Sequence, residues 1–221
     1  MNYTQIKSKV ADYTVRSDLL TTVIPDVVNM VLHDLEQDPE INWKHMEVKQ
    51  TGTVTSASDK ITIPTRYKET KSLFLKGTNM GNRRGLLDKT SYIDLMINYP
   101  DDENSKSVPE KYALSTADSS IILRPYPDTS YDYEWITYNY SADLSGDTDS
   151  NSNWFTNYAW ELLLYGSLLE MQGYIQNPER LTDISIWQGL YTRRLEKLKS
   201  ASASEDWAGS YQRVSFNGIP S

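Results

Sequence analysis

"NWFTNYAWELLLYGSLLEMQGYIQNPERLTDISIWQGLYTRRLEKLKS", residues 153–200, decides the fold. From Trp154 to about Tyr174 the large residues run almost all the way round a helical wheel, and a helix of that kind has to be covered on several sides. The polar stretch "SGDTDSNSN" at 145–153 leads into it, with Ser152 or Asn153 placed to cap. The next boundary is sharper: Asn177 as cap, Pro178 at the first helical position, then Leu181, Ile184, Trp187, Tyr191, Leu195 and Leu198 on one stripe. Two long antiparallel helices follow from this pattern. The most apolar run, "LLLYGSLL" at 162–169, falls far short of the roughly 20 residues that span a bilayer, so it reads as buried helix and no membrane contact is expected.

Working outward, the start of the chain supplies the cover. Ile6, Val10 and Tyr13 fall at helical spacing after Tyr3, with Thr4 available to cap. A turn through Arg16, Ser17 and Asp18 leads to a second helix, where Ile24, Val27, Val28, Val31 and Leu35 share a face and Pro25 suits the first turn; it should stop before Pro39. After Trp43 the texture changes to short Val, Ile, Thr and Tyr segments punctuated by Gly, Pro, Asn and Asp, the pattern of antiparallel sheets. Strands are expected at 47–55, 60–64, 72–76, 111–115, 120–124 and 131–140. Residues 86–98 read as a helical interruption with Leu87, Tyr92, Leu95 and Met96 inward. The expected fold class is therefore α+β: an antiparallel helical bundle from both chain ends (1–45 with 153–200), an inserted β-rich domain (46–152) and an extended C-terminal tail (201–221).

Composition narrows the function. Lysine and arginine total 22 against 30 acids, a net charge of −8, which argues against general nucleic-acid binding by phosphate neutralisation. The absence of cysteine removes disulfides, thiol nucleophiles and thiolate metal sites. The first residues lack the layout of a secretory signal, so synthesis in a cytoplasm is expected. Tyrosine and tryptophan, 16 and 6 residues, form a large share of the apolar content and suit interfaces where a ring is buried while its OH or NH stays paired.

Motifs for chemistry are few. His33 falls off the apolar face of its helix and His45 sits at a helix-to-strand junction, both read as surface or capping residues rather than catalysts. "GTNMGNRRG" at 77–85 is no phosphate loop, since no Gly-Lys-Ser/Thr follows. It reads as a hairpin tip, or as a basic contact through Arg83 and Arg84 with an acidic neighbour. Asp147, Asp149 and Asn151 mimic the start of an EF-hand loop, but Ser152 and Tyr158 stand where Gly and Glu are needed. No catalytic residue, metal or cofactor is assigned. In "YDYEWITYNY", 131–140, Tyr131, Tyr133 and Trp135 share one face and Ile136, Tyr138 and Tyr140 the other. Core and subunit contact is one reading, and a stacking platform for sugars is the other. Finally, "ASASEDWAGSYQRVSFNGIPS" at 201–221 carries Trp207, Tyr211, Phe216 and Ile219 in a Ser- and Gly-rich context, where exposed rings gain nothing.

Landmarks recur in a definite order: Tyr3, Val10, Tyr13, Arg16, Asp18, Leu19, Ile24 and Pro25; then Val108, Pro109, Tyr112 and Ala113; then "IILRPYP" at 121–127, Tyr131 and "YNY" at 138–140. Leu144, Ser145, "NWF" at 153–155, "LLLY" at 162–165 and the helix from Trp187 to Leu198 close the series. Over most of the chain this order resembles the head-to-tail adaptor (connector) proteins of short-tailed bacteriophages. A departure is "TADSS" at 116–120, where such proteins tend to have a glycine turn. The resemblance implies a non-enzymatic virion protein at the portal vertex. It would form a homo-oligomeric, twelve-membered ring that joins the portal protein to the tail nozzle and tail fibre proteins, with DNA passing through the channel. It further implies that the C-terminal segment docks on the portal, with Trp207, Tyr211, Arg213 and Phe216 as anchors. Packing of residues 207–214 back on their own subunit is the alternative, since Trp207, Tyr211 and Val214 have helical spacing. Arg83, Arg84, Tyr131, Tyr133 and Trp135 are the expected subunit or tail contacts. The competing function is a lectin-like, carbohydrate-binding tail module built on the Tyr-rich strand.

Overall fold

The computed structural model describes residues 1–38, 40, 46–77, 84–99, 106–146, 152–175 and 182–215, of which Arg84 and residues 202–215 are described as backbone alone. The fold is mixed α+β, and it divides into two compact units, Met1–His45 with Ser141–Ser221, and Met46–Tyr140.

Among its described residues the first unit is helical. α1 (Tyr3–Thr14) starts at Asn2, not at Thr4: the Asn2 side chain accepts from the Gln5 N–H (2.8 Å) and the Gln5 side chain accepts from the Asn2 N–H (3.1 Å). This reciprocal box satisfies two amides that the first turn leaves open. Ile6 and Val10 are fully buried, whereas Tyr13 stays at the rim against the edge of Trp187. α1 ends on Val15, whose φ of 55° is left-handed, and a 3₁₀ turn (Ser17–Leu19) leads to α2 (Val23–Gln37). The expected face of α2 is the buried one, Ile24, Val27, Val28, Val31 and Leu35, joined by Leu32.

The all-round apolar stretch after Asn153 is two helices rather than one, α4 (Trp154–Tyr158) and α5 (Trp160–Glu170), followed by a 3₁₀ turn (Met171–Tyr174). Asn153 caps α4 by accepting from the Thr156 N–H (3.0 Å). The break falls at Ala159, whose N–H donates to Phe155 O while its own carbonyl accepts from Leu162 N–H. A sequence apolar on every side has no stripe whose interruption would show such a break. α5 packs against α1, α2 and α6 (Ile184–Ser215). Its closest approach is at Gly166, where an added Cβ would lie 2.5 Å from Val31 Cγ1 on α2 and 3.1 Å from Tyr191 Cε2 on α6. The expected cap Asn177, Pro178 and Leu181 lie outside the described residues. Beyond residue 200 the chain does not become an extended tail: the backbone stays helical to Ser215.

Residues 141–144, assigned from sequence to the inserted domain, are fastened to α2 instead. The Asn29 amide both donates to Leu144 O (3.0 Å) and accepts from Leu144 N–H (2.7 Å). Glu36, fully buried, accepts from Ser141 N–H (3.0 Å).

The second unit is two four-stranded sheets around one core. The strands are β1 (Glu47–Val54), β2 (Lys60–Thr62), β3 (Tyr67–Lys76), β4 (Arg84–Leu86), β5 (Asp88–Lys89), β6 (Lys106–Ser107), β7 (Lys111–Ser115), β8 (Ser120–Arg124), β9 (Tyr126–Pro127) and β10 (Tyr131–Asn139). One sheet runs β1-β10-β3-β4, antiparallel throughout; the other runs β2-β8-β7-β5, with only β5 parallel; β6 and β9 form a short parallel pair. Val54, Leu73, Leu75, Tyr131 and Trp135 from the first sheet share a buried cluster with Ile61, Tyr112, Ile121 and Leu123 from the second.

The helix expected over 86–98 shrinks to α3 (Tyr92–Asn98), capped by Ser91, whose Oγ accepts from the Asp94 N–H (3.0 Å). The residues before it pair as strand. Leu87 N–H donates to Leu73 O (2.9 Å) and Asp88 N–H to Glu110 O (3.0 Å), which carries Leu87 into the sheet core. Leu95 is buried as expected, but Tyr92 faces outward.

Candidate interaction surfaces

The described residues hold no group of three or more His, Cys, Asp or Glu able to bind a metal, and no helix long and apolar enough to cross a membrane. His33 Nε2 lies 2.8 Å from Asp143 Oδ1 in an exposed pair. His45, Arg83, Asp147, Asp149 and Asn151 lie outside the described residues, and Arg84 contributes backbone to β4 opposite Lys76.

The Tyr-rich strand is interior. β10 is flanked on both sides by β1 and β3, and Tyr131 and Trp135 are fully buried. Trp135 donates through Nε1 to Thr70 Oγ1 (3.1 Å), which also bonds the Tyr67 hydroxyl (2.9 Å). Tyr131 donates to Asp128 (2.6 Å), and burial together with that carboxylate pushes its phenol up to about 12. Both rings belong to the core, as the first of the two readings has it, and neither has surface to give a sugar, which corrects the stacking-platform reading for these two residues. Tyr133 differs. It is half-buried, with its ring laid across Gly52 on β1, where a Cβ would come within 2.6 Å of the hydroxyl. Register shifts after Ile136 and Tyr138 interrupt the simple alternation expected further along the strand.

Charged groups inside the second unit are paired. Arg124 is bonded to Asp59, donates to Leu123 O (2.8 Å) and stacks 4.1 Å from the Tyr126 ring centroid. Glu134 receives Lys76 (2.6 Å) and Lys49 (3.0 Å). In the first unit Lys199 on α6 bonds Asp38 (2.7 Å) and Glu40 (2.8 Å), and those two carboxylates hold its ammonium well above the usual lysine range.

Two outward features escaped the sequence reading. The first is a groove of about 170 Å³ where the α4–α5 break meets α6. Leu162, Leu198 and Ala201 give it apolar walls, Tyr158 stands at its rim 76% exposed, and Arg194 and Lys197 edge it. Arg194 is engaged by Glu161 (2.9 Å); Lys197 makes no ion pair among the described residues. The second is the outer face of α3, where Ile93 and Ile97 are 68% and 71% exposed. Their i, i+4 spacing was a readable signal, since Leu95 already faces the core and a helix this short cannot bury both sides. Of the expected tail anchors, Trp207, Tyr211 and Arg213 are carried on the α6 backbone, and Phe216 lies outside the described residues.

A chain whose described apolar groups are divided between internal clusters and outward patches has the build of a structural, contact-making protein. The family model described as SU10 adaptor protein matches residues 1–215, and the chain belongs to that family, one of structural bacteriophage adaptors rather than enzymes. Its place is accordingly the virion. No curated protein matches the chain.

Proposed function

We propose that the protein is the ring-forming head-to-tail adaptor of a short-tailed phage. Twelve copies would join the portal to the tail nozzle and fibres at the virion neck and leave an axial channel for DNA during genome ejection. The observation that carries this is the family match across residues 1–215. In this reading the helices of both chain ends act as one bundle, and α6 reaches the portal. Support comes from its geometry. Glu161 meets Arg194 and Gly166 meets Tyr191, so α5 and α6 run antiparallel. By Ala201, α6 has therefore reached the start of α5, and the 14 residues from 202 to 215 continue past it for about 21 Å at 1.5 Å per residue. Trp207, Tyr211, Arg213 and Phe216 are the proposed anchors there. Arg83, Arg84 and the half-exposed Tyr133 are the proposed subunit or tail contacts. A net charge of −8 keeps DNA sliding rather than sticking where acids line the bore.

Deleting residues 203–221 tests the reading. The truncated chain should keep its melting temperature and lose co-sedimentation with purified portal. Unchanged co-sedimentation would refute the docking role.

A further inference from the structure

We infer that the groove at the α4–α5 break receives the outer face of α3 from a second copy of this chain. Lys197 would then pair with Asp94 of that copy. The inference rests on the ring reading above and names one of its contacts. Closed rings are built from heterologous contacts, in which one patch meets a different patch on the next subunit, and the chain presents two unlike surfaces of matching chemistry. On α3, Ile93, Asp94 and Ile97 fall within an arc of about 100° at 3.6 residues per turn, on the side away from buried Leu95. This face offers two branched aliphatic groups with a carboxylate beside them. Asp94 takes one bond from Ser91 Oγ (2.7 Å) through Oδ2, leaving Oδ1 to accept another.

The groove offers the converse: apolar walls from Leu162, Leu198 and Ala201, with the Lys197 cation at the edge. Its volume of about 170 Å³ exceeds the roughly 150 Å³ at which an apolar cavity takes a benzene, enough for one isoleucine side chain with Tyr158 closing over it. Charge favours a second copy as occupant. A chain with 30 acids against 22 cations presents carboxylates to its neighbours, and Lys197 is a cation that no carboxylate of its own described surface engages.

The absence of cysteine makes the test clean. A chain carrying Tyr158→Cys and Ile97→Cys is assembled with portal and oxidised, alongside each single variant. The double variant should give a ladder of disulfide-linked multimers, and the single variants none. In parallel, Lys197→Glu should weaken self-assembly at least tenfold, and Asp94→Lys in the same chain should restore it; both positions are exposed, so folding is unaffected. Assembled rings without a ladder and indifferent to the charge exchange overturn this contact while leaving the ring standing. A bond confined within one chain overturns it too, as does a Lys197→Glu effect seen only in portal binding. A wild-type chain that never multimerises, alone or on portal, overturns the ring reading and this contact together.

Discussion

Gly166 lies where three helices meet, and replacing it with alanine separates two opposing effects of known size. In a helix interior alanine is favoured over glycine by about 0.8–1.0 kcal/mol, so at an open position Gly166→Ala would stabilise. Here the new methyl would sit 2.5 Å from Val31 Cγ1 and 3.1 Å from Tyr191 Cε2. Val31 is almost fully buried, and its branched side chain has essentially one χ1 rotamer in a helix, so it cannot swing aside. Forcing a methylene into a packed core costs about 1–3 kcal/mol. With the nearer contact well below any real carbon separation, the upper part of that range applies, leaving a net loss of about 1–2 kcal/mol. For a chain of this size that is a fall in melting temperature of roughly 2–8 °C, read by circular dichroism and by urea titration. The decisive arm is Val31→Ala with Gly166→Ala. Removing the obstructing methyls should make the pair less destabilising than the sum of the singles by about 1 kcal/mol or more. If Gly166→Ala instead stabilises by its full helix propensity, and the two changes simply add, then α2 from one end of the chain does not meet α5 and α6 from the other as described.

Other positions give readings of the same kind. Tyr131 and Tyr112 have phenols pushed up to about 12, first by burial. Their neutral forms therefore contribute stability that is whole below pH ~10 and lost as pH climbs toward 12, and at least these two of the 16 tyrosines should ionise late and together with unfolding; phenolate absorbance rising as one step near pH 10 would contradict their burial. Arg124→Met strands the buried Asp59 carboxylate without its cation and should cost about 3–5 kcal/mol, much of it recovered by adding Asp59→Leu, whereas a loss under 1 kcal/mol would mean the pair is solvated. Ser119 holds the β7–β8 turn at φ 47°, a strain of about 1–2 kcal/mol for a residue with a Cβ that the extra chain entropy of glycine offsets by about half. Ser119→Gly should thus raise stability by about 0.5 kcal/mol in urea titration, and a loss would show that the serine side chain holds the turn.

Much of the framework was legible because it rests on periodicities that survive folding. The face of α2, the strands β7 and β8 and the Asn153 cap each follow from residues spaced as one element requires. What escaped had two compatible periods or none. "LLDK" at 86–89 satisfies a helical pattern as well as a strand, and only the long-range bonds of Leu87 and Asp88 to β3 and Glu110 decide for strand. The Ala159 break is silent because both sides of it are apolar. Arg124 looks like the charged, exposed end of an apolar strand, and it is buried where Asp59, remote in sequence, and Tyr126, two residues on, receive it.

Outward-facing residues are harder to read than buried ones for a related reason. Periodicity identifies the face a helix gives to its own core, and whatever is left over is counted as solvent. α3 shows how to do better: once Ser91 and Asp94 fix its seven residues, Leu95 takes the inward position, and Ile93 and Ile97 are then apolar residues with no interior left to enter. The same accounting applies to Tyr158. Phe155 is turned inward at zero exposure, while Tyr158, the last residue of α4 before the break at Ala159, is left at the surface. In a family of structural adaptors, apolar groups that the fold itself turns outward, at a break and on a short capped helix, are where contacts with other chains should first be sought.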